Sequence, residues 1–231
     1  MLFFFLSIFA LTLALTIVLE KFAYRLCLID YPIARSAHTS PKPSGGGLVV
    51  AVLFLFVSYV LDVNEYIPSN IFYALLGAAP VAAVGLFDDL SRVGLRFRLL
   101  TQFCASCWAL YFLGGIPPIE ISILELSNIW VLSFLGIIAL VWLLNLYNFM
   151  DGIDGIAAAE VLFVSLMSSL FAIYEGDDTL ALLSAALFAT SAGFLVRNWP
   201  PSKLFMGDVG SSFIGFVLGI FALFSMHNES M

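Results

Sequence analysis

Residues 129–155 read IWVLSFLGIIALVWLLNLYNFMDGIDG. The part from Ile129 to Tyr147 carries no charged side chain and is long enough to cross a bilayer core, which takes ~20 apolar residues as a helix. The run is unbroken rather than alternating, so it reads as a helix and not as a strand of a barrel. Inside a bilayer no water pairs with the backbone, and an apolar helix satisfies its own peptide groups. From Asn145 onward the character changes. Asn145, Asn148, Asp151 and Asp154 follow at a constant step of three, with Gly152 and Gly155 between and after the acids. A membrane span is leaving lipid for water, and its exit is built from hydrogen-bonding groups.

The same reading extends outward in both directions. Of the 231 residues, 62% are hydrophobic and 11% charged, against about half and a quarter in soluble domains. Spans are expected at 2–19, 46–62, 70–87, 99–115, 129–147, 156–174, 179–196 and 211–227. This predicts an all-α, polytopic membrane bundle of about eight helices, one domain over 1–231, with little chain left for a soluble module. If the loop after the first span is cytosolic, Lys21, Arg25, Arg35, Lys42, Arg92, Arg96, Arg98, Arg197 and Lys203 all fall on that side. The opposite loops hold only acids, among them Asp62, Glu65, Glu120, Glu125, Glu175, Asp177 and Asp178. The bias of basic residues sets orientation, so both termini are expected outside. The first segment lacks a basic leader and a small-residue cleavage site, since Glu20-Lys21-Phe22 follows it. It is expected to stay as a span. Cys104-x-x-Cys107 lies inside an apolar span and reads as buried thiols, not as a redox pair. On the outer side, the alternation over 119–123 suggests a short extended segment.

The unusual chemistry collects in four inner loops. The first runs Arg35-Ser36-Ala37-His38 to Pro41-Lys42-Pro43-Ser44-Gly45-Gly46-Gly47. It is stiffened by prolines and able to approach a ligand or a helix closely at its glycines, though it lacks the pattern of a phosphate-binding G-x-x-x-x-G-K-[ST] loop. The second opens with Asp88-Asp89 at the end of an apolar span, where two carboxylates need cations such as Arg92, Arg96 or Arg98 nearby. Helical neighbours point ~100° apart, so the two acids can serve different partners. The third is the stripe at 145–154, which misses the register of a calcium-binding EF-hand. The fourth holds Phe205-Met206-Gly207-Asp208, with Ser211 or Ser212 expected to cap the following helix. Asp88, Asp89, Asp151, Asp154 and Asp208 are expected to converge, beside Arg and Lys, in a site suited to Mg²⁺ and a phosphate-bearing substrate. Mn²⁺ is the natural substitute ion. A transporter is the competing class, but these spans are nearly free of charge at their centres.

Taken in order, Arg35-x-x-His38 to Gly46, Phe87-Asp88-Asp89-Leu90 with Gln102, Asn145-x-x-Asn148-x-x-Asp151-Gly-x-Asp154-Gly, and Phe205-Met206-Gly207-Asp208-x-Gly210-Ser211 resemble the polyprenyl-phosphate N-acetylhexosamine-1-phosphate transferase family, to which phospho-MurNAc-pentapeptide translocase is related. The resemblance implies transfer of a sugar-1-phosphate from a UDP-sugar to undecaprenyl phosphate, with release of UMP, at the cytosolic side of the inner membrane. That step would initiate a cell-envelope polysaccharide such as O-antigen. It further implies catalytic roles for Asp88 and Asp89, Mg²⁺ on Asp208 with Asp89 assisting, and substrate contacts from Asn145, Asn148, Asp151, Asp154, Phe205 (as a uracil stack) and His38. Asp88 as base and Asp88 as nucleophile both stay open. The implied partners are the lipid phosphate, the UDP-sugar and the membrane, with no nucleic acid; a homodimer is admitted but not required. Ser44 and Arg98 depart from the basic residue and the lysine common there. The resemblance also implies further spans and a His-containing loop beyond residue 231. A catalytically inactive lipid-binding or assembly element is therefore the alternative to an enzyme.

Overall fold

A computed structural model describes residues 1–32, 39–121 and 124–229. Arg35 and His38, expected in the first inner loop, lie outside the described residues. The helices are α1 (Leu2–Phe22), α2 (Gly47–Val63), α3 (Ser69–Leu76), α4 (Ala78–Leu90), α5 (Leu95–Leu113), α6 (Ile129–Met150), α7 (Ile156–Glu175), α8 (Asp178–Asn198) and α9 (Gly207–Glu229). Counting Ser69–Leu90 as one rod, they reproduce the expected spans within a few residues, and the chain is an all-α, multi-span membrane protein. Among the described residues, six rods are long and apolar enough to cross a bilayer by length and composition, and Gly47–Val63 is a shorter apolar helix.

One expected span is broken. The rod at 69–90 divides at Gly77 because Pro80, early in α4, has no N–H to return to the Leu76 carbonyl four residues back. Gly77 also sits where a β-carbon would lie 3.2 Å from the Ala105 carbonyl, so α3–α4 leans closely on α5. The thiols of Cys104 and Cys107, expected to be buried, are free and exposed on the outer face of α5, because its buried face is taken by Ala105, Ser106 and Ala109.

The bundle is organised around α9. This helix is buried over most of 209–223, and α2, α4 and α6 pack against it. Small residues make that possible, as they do wherever membrane helices pack backbone to backbone. A β-carbon on Gly215 would lie 2.7 Å from the Leu144 α-carbon, and one on Gly219 would lie 2.5 Å from Leu140 Cδ2. At the start of α9, Gly210 meets Gly47 of α2 so closely that a β-carbon on Gly47 would overlap the Gly210 α-carbon. α8 forms the second centre and holds α1 and α7. α6 and α7, although consecutive, scarcely touch. Two short antiparallel pairs complete the structure: β1 (Ile29–Asp30) with β2 (Lys42–Pro43), and β3 (Ile119–Ile121) with β4 (Leu124–Leu126). The second pair is the extended segment expected near 119–123.

Candidate functional site

All four inner loops meet at one end of the bundle, and the first and fourth are joined backbone to backbone. Phe205 N–H donates to the Pro43 carbonyl (2.8 Å), while Gly46 and Gly47 donate to the carbonyls of Phe205 and Met206 (2.9 Å each). The glycine run thus serves a helix contact. A β-carbon on Gly46 would collide with Phe194 and Leu204.

The second loop supplies two carboxylates with separate partners. Asp88 Oδ1 accepts from the Val93 N–H (2.6 Å), closing its own turn, and Oδ2 accepts from Arg98 Nη1 (2.7 Å). The same Arg98 nitrogen lies 3.1 Å from Asp208 Oδ2, so one guanidinium bridges α4 to α9. Asp89 turns the other way. Its Oδ1 accepts from the Asp208 N–H (2.9 Å) and its Oδ2 from the Val209 N–H (3.2 Å). Ser211 and Ser212, expected to cap α9, instead lie buried inside it, and the Ser211 hydroxyl donates back to the Gly207 carbonyl (3.1 Å).

The 145–154 stripe is helical only in part. α6 continues through Met150, so Asn145 and Asn148 keep the expected spacing, and the chain then turns at Asp151. Asn145 exchanges hydrogen bonds with the buried Gln102 of α5 (2.7 and 3.4 Å) and lies one turn deeper than the loop groups. Asn148 Nδ2 donates to Asp208 Oδ1 and to the Ser211 hydroxyl, both at 2.9 Å. Burial, then the neighbouring charges of Asp208 and Asp89, raises the Asp151 carboxyl pKa well above the ordinary carboxylate range. Asp154 faces away from this cluster toward the other loops. Its Oδ2 accepts from the Ser202 N–H (2.9 Å) and pairs with Lys42 Nζ at 3.4 Å. The Lys42 ammonium also lies 5.0 Å from the centre of the Phe205 ring, so one approach to that ring is already lined by a cation.

Asp88 and Asp208 therefore share Arg98, Asp151 lies beside Asp208 and Asp89, and Asp154 sits in a neighbouring clasp. Arg98, Gln102, Lys42 and Ser202 are the participants that motif reading did not assign to the site. Arg98 and Lys42 were legible as cations near acids, whereas a backbone amide such as that of Ser202 leaves no mark in sequence. A narrow cleft of about 10 Å³ opens beside Arg98, lined also by Val81, Val84, Gly85, Thr101, Gln102 and Ser212. Among the described residues, no group of three metal-ligating side chains forms a ready-made cage. What the site holds instead is Asp151 beside Asp208, with a like-charge strain that a divalent cation would relieve. One or two carboxylates completed by substrate oxygens is the usual provision for Mg²⁺.

The chain is similar in sequence to several known proteins. The profile described as glycosyl transferase family 4 matches residues 71–226. The "Probable undecaprenyl-phosphate N-acetylglucosaminyl 1-phosphate transferase" of Bacillus subtilis (strain 168) is 26% identical over 221 residues, covering 94% of this chain and 61% of that protein. The decaprenyl-phosphate N-acetylglucosaminephosphotransferase of Mycobacterium leprae is 30% identical over 220 residues (85% of this chain, 54% of the relative). The phospho-N-acetylmuramoyl-pentapeptide-transferase of Fusobacterium nucleatum is 28% identical over 225 residues (81% and 62%). The chain thus spans between 54% and 62% of the length of these relatives. It belongs to glycosyl transferase family 4.

Proposed function

We propose that this family member transfers a sugar-1-phosphate from a UDP-linked N-acetylhexosamine to a polyprenyl phosphate, with undecaprenyl phosphate the expected acceptor, at the cytosolic edge of the membrane. An oxygen of the lipid phosphate forms a bond to the sugar-proximal phosphorus of the nucleotide sugar. The bond from that phosphorus to the bridging oxygen breaks, and UMP leaves with the oxygen. The products are polyprenyl-diphospho-sugar and UMP. The sharing of Arg98 by Asp88 and Asp208, with Asp151 beside Asp208 at the end of a bundle of apolar helices, supports this reading. A site at that level reaches a lipid headgroup from one side and a water-soluble nucleotide from the other.

Asp208, with Asp151 beside it, would hold Mg²⁺. When bound, that ion would neutralise charge on the diphosphate. The chain's own groups then position the reactants, which is most of what phosphoryl transfer needs. Asn148 fixes the rotamer of Asp208 through Oδ1. Arg98 holds Asp88 and Asp208 in register. An arriving lipid phosphate would compete for that guanidinium and release Asp88 Oδ2 to take the phosphate's proton. Lys42 and Phe205 together offer a cation and a ring edge to the nucleotide.

Membranes carrying the full chain, supplied with radiolabelled UDP-N-acetylglucosamine, undecaprenyl phosphate and Mg²⁺, should form labelled lipid and release UMP, and should stop when EDTA is added. Absence of labelled lipid with every common UDP-sugar, beside an active longer relative, would favour a lipid-binding role without catalysis.

A further inference from the structure

Asp88 and Asp89 are adjacent in sequence, and the family pattern treats them as a pair, yet their surroundings differ in kind. Asp88 bonds a side-chain cation, whereas both oxygens of Asp89 accept from successive amides, Asp208 and Val209, in the first turn of α9. A helix leaves its first N–H groups without internal partners, and a side-chain oxygen placed on them is the usual remedy. Here the remedy comes from another helix. The residue before α9 is Met206, which has no oxygen in its side chain, and Ser211 bonds backward inside the helix. The fit leaves no slack. Gly207 adopts φ +77°, and a β-carbon there would come within 2.5 Å of Asp89 Oδ2. A β-carbon on Gly85, one turn before Asp89, would lie 2.6 Å from the Asp208 carbonyl oxygen, so α4 and α9 run in backbone contact at this level.

We infer that Asp89 is a positioning residue: it caps α9 from α4 and thereby sets Asp208, and it takes neither the metal nor the acceptor's proton. The inference rests on the proposed role of Asp208. The Asp89 carboxylate meets two amides and the positive end of the α9 dipole, both of which oppose the cost of burying it.

The two possible duties of Asp89 predict opposite signs in metal-free protein. Asp89→Ala strips two buried amides of their acceptor, so the thermal midpoint of the full chain in lipid nanodiscs with EDTA should fall by roughly 4 °C or more. Asp89→Asn keeps one acceptor oxygen and should fall by about half as much. It also serves if the alanine variant does not insert. A residue acting only as metal ligand or base would, on removal, relieve repulsion with Asp88, Asp151 and Asp208 and raise the midpoint. Mn²⁺ binding followed by electron paramagnetic resonance is the second readout. Asp89→Asn should stay within about threefold of wild type, while Asp208→Asn loses binding. An unchanged or raised midpoint in EDTA, or loss of Mn²⁺ binding in Asp89→Asn equal to that in Asp208→Asn, overturns the inference. If the wild-type chain forms no labelled lipid, the proposed reaction fails. The unfolding comparison in EDTA still decides the cap.

Discussion

Asp151 and Asp154 stand three residues apart in one glycine-containing turn, and the structure treats them as opposites. Asp154 is engaged by protein, with the Ser202 amide and the Lys42 ammonium on one oxygen. Asp151 is buried beside Asp208 and Asp89, and burial first, then those two charges, raises its carboxyl pKa. One acid closes a clasp among three loops, and the other is left without a counter-charge at the centre of the site. Compensation, rather than residue type or spacing, separates scaffold from chemistry here. Natural proteins retain uncompensated buried charge chiefly where a ligand will compensate it.

The sharpest way to break this contrast is at Asp208. Asp208→Asn should lower the rate of labelled-lipid formation by about 10²-fold or more while leaving membrane insertion and α-helical content unchanged. An equal loss of insertion would show that Asp208 belongs with the scaffold. Asp154→Ala comes next, and its effect should be on stability. It leaves the Ser202 N–H and Lys42 without their acceptor and should cost about 1–3 kcal/mol, read as a lower unfolding midpoint with residual activity in what stays folded. A loss of activity at unchanged midpoint would move Asp154 into the reactive group.

Asp151→Asn should act in the reverse sense. A carboxyl whose pKa is raised on folding adds stability that is complete below the unfolded-state value, ~3.9 for Asp. That contribution is lost as pH rises through the folded value. In EDTA near neutral pH the substitution should therefore raise the midpoint and flatten its decline with pH, while activity falls. A midpoint that drops at all pH values would contradict the assignment. The smallest effect belongs to Lys42→Met. Its pair with Asp154 is 3.4 Å long and partly exposed, which predicts less than about 1 kcal/mol in unfolding, with any larger change confined to the apparent KM for the nucleotide sugar.

The spans were legible because lipid imposes a simple rule, long unbroken apolar runs, and the chain obeys it almost everywhere. The exception was written in plain sight as Pro80, whose missing N–H divides Ser69–Leu90, but hydropathy alone does not register a missing donor. The convergence of Asp88, Asp151 and Asp208 was also readable, since basic-residue bias put their loops on one side. What stayed hidden were pairings made by distant backbone: the carboxylates of Asp89 with the α9 amides and of Asp154 with Ser202, and Gly46 with Phe205 backbone to backbone. Any carboxylate accepts from any amide, so such bonds carry no residue signature. Ser211 was the natural local candidate for the cap on α9. The cap came from α4 instead, because close helix approach at Gly85 delivered a stronger acceptor to the same amides.

The contact between Gly47 and Gly210, at van der Waals limits with no side chain between, makes the head of α2 and the head of α9 one mechanical part. A nucleotide gripped by the first loop would thus tug on the very turn that presents Asp208. Occupancy at one end of such a substrate would then be felt at the other without any hinge, as a lever transmits force through a rivet.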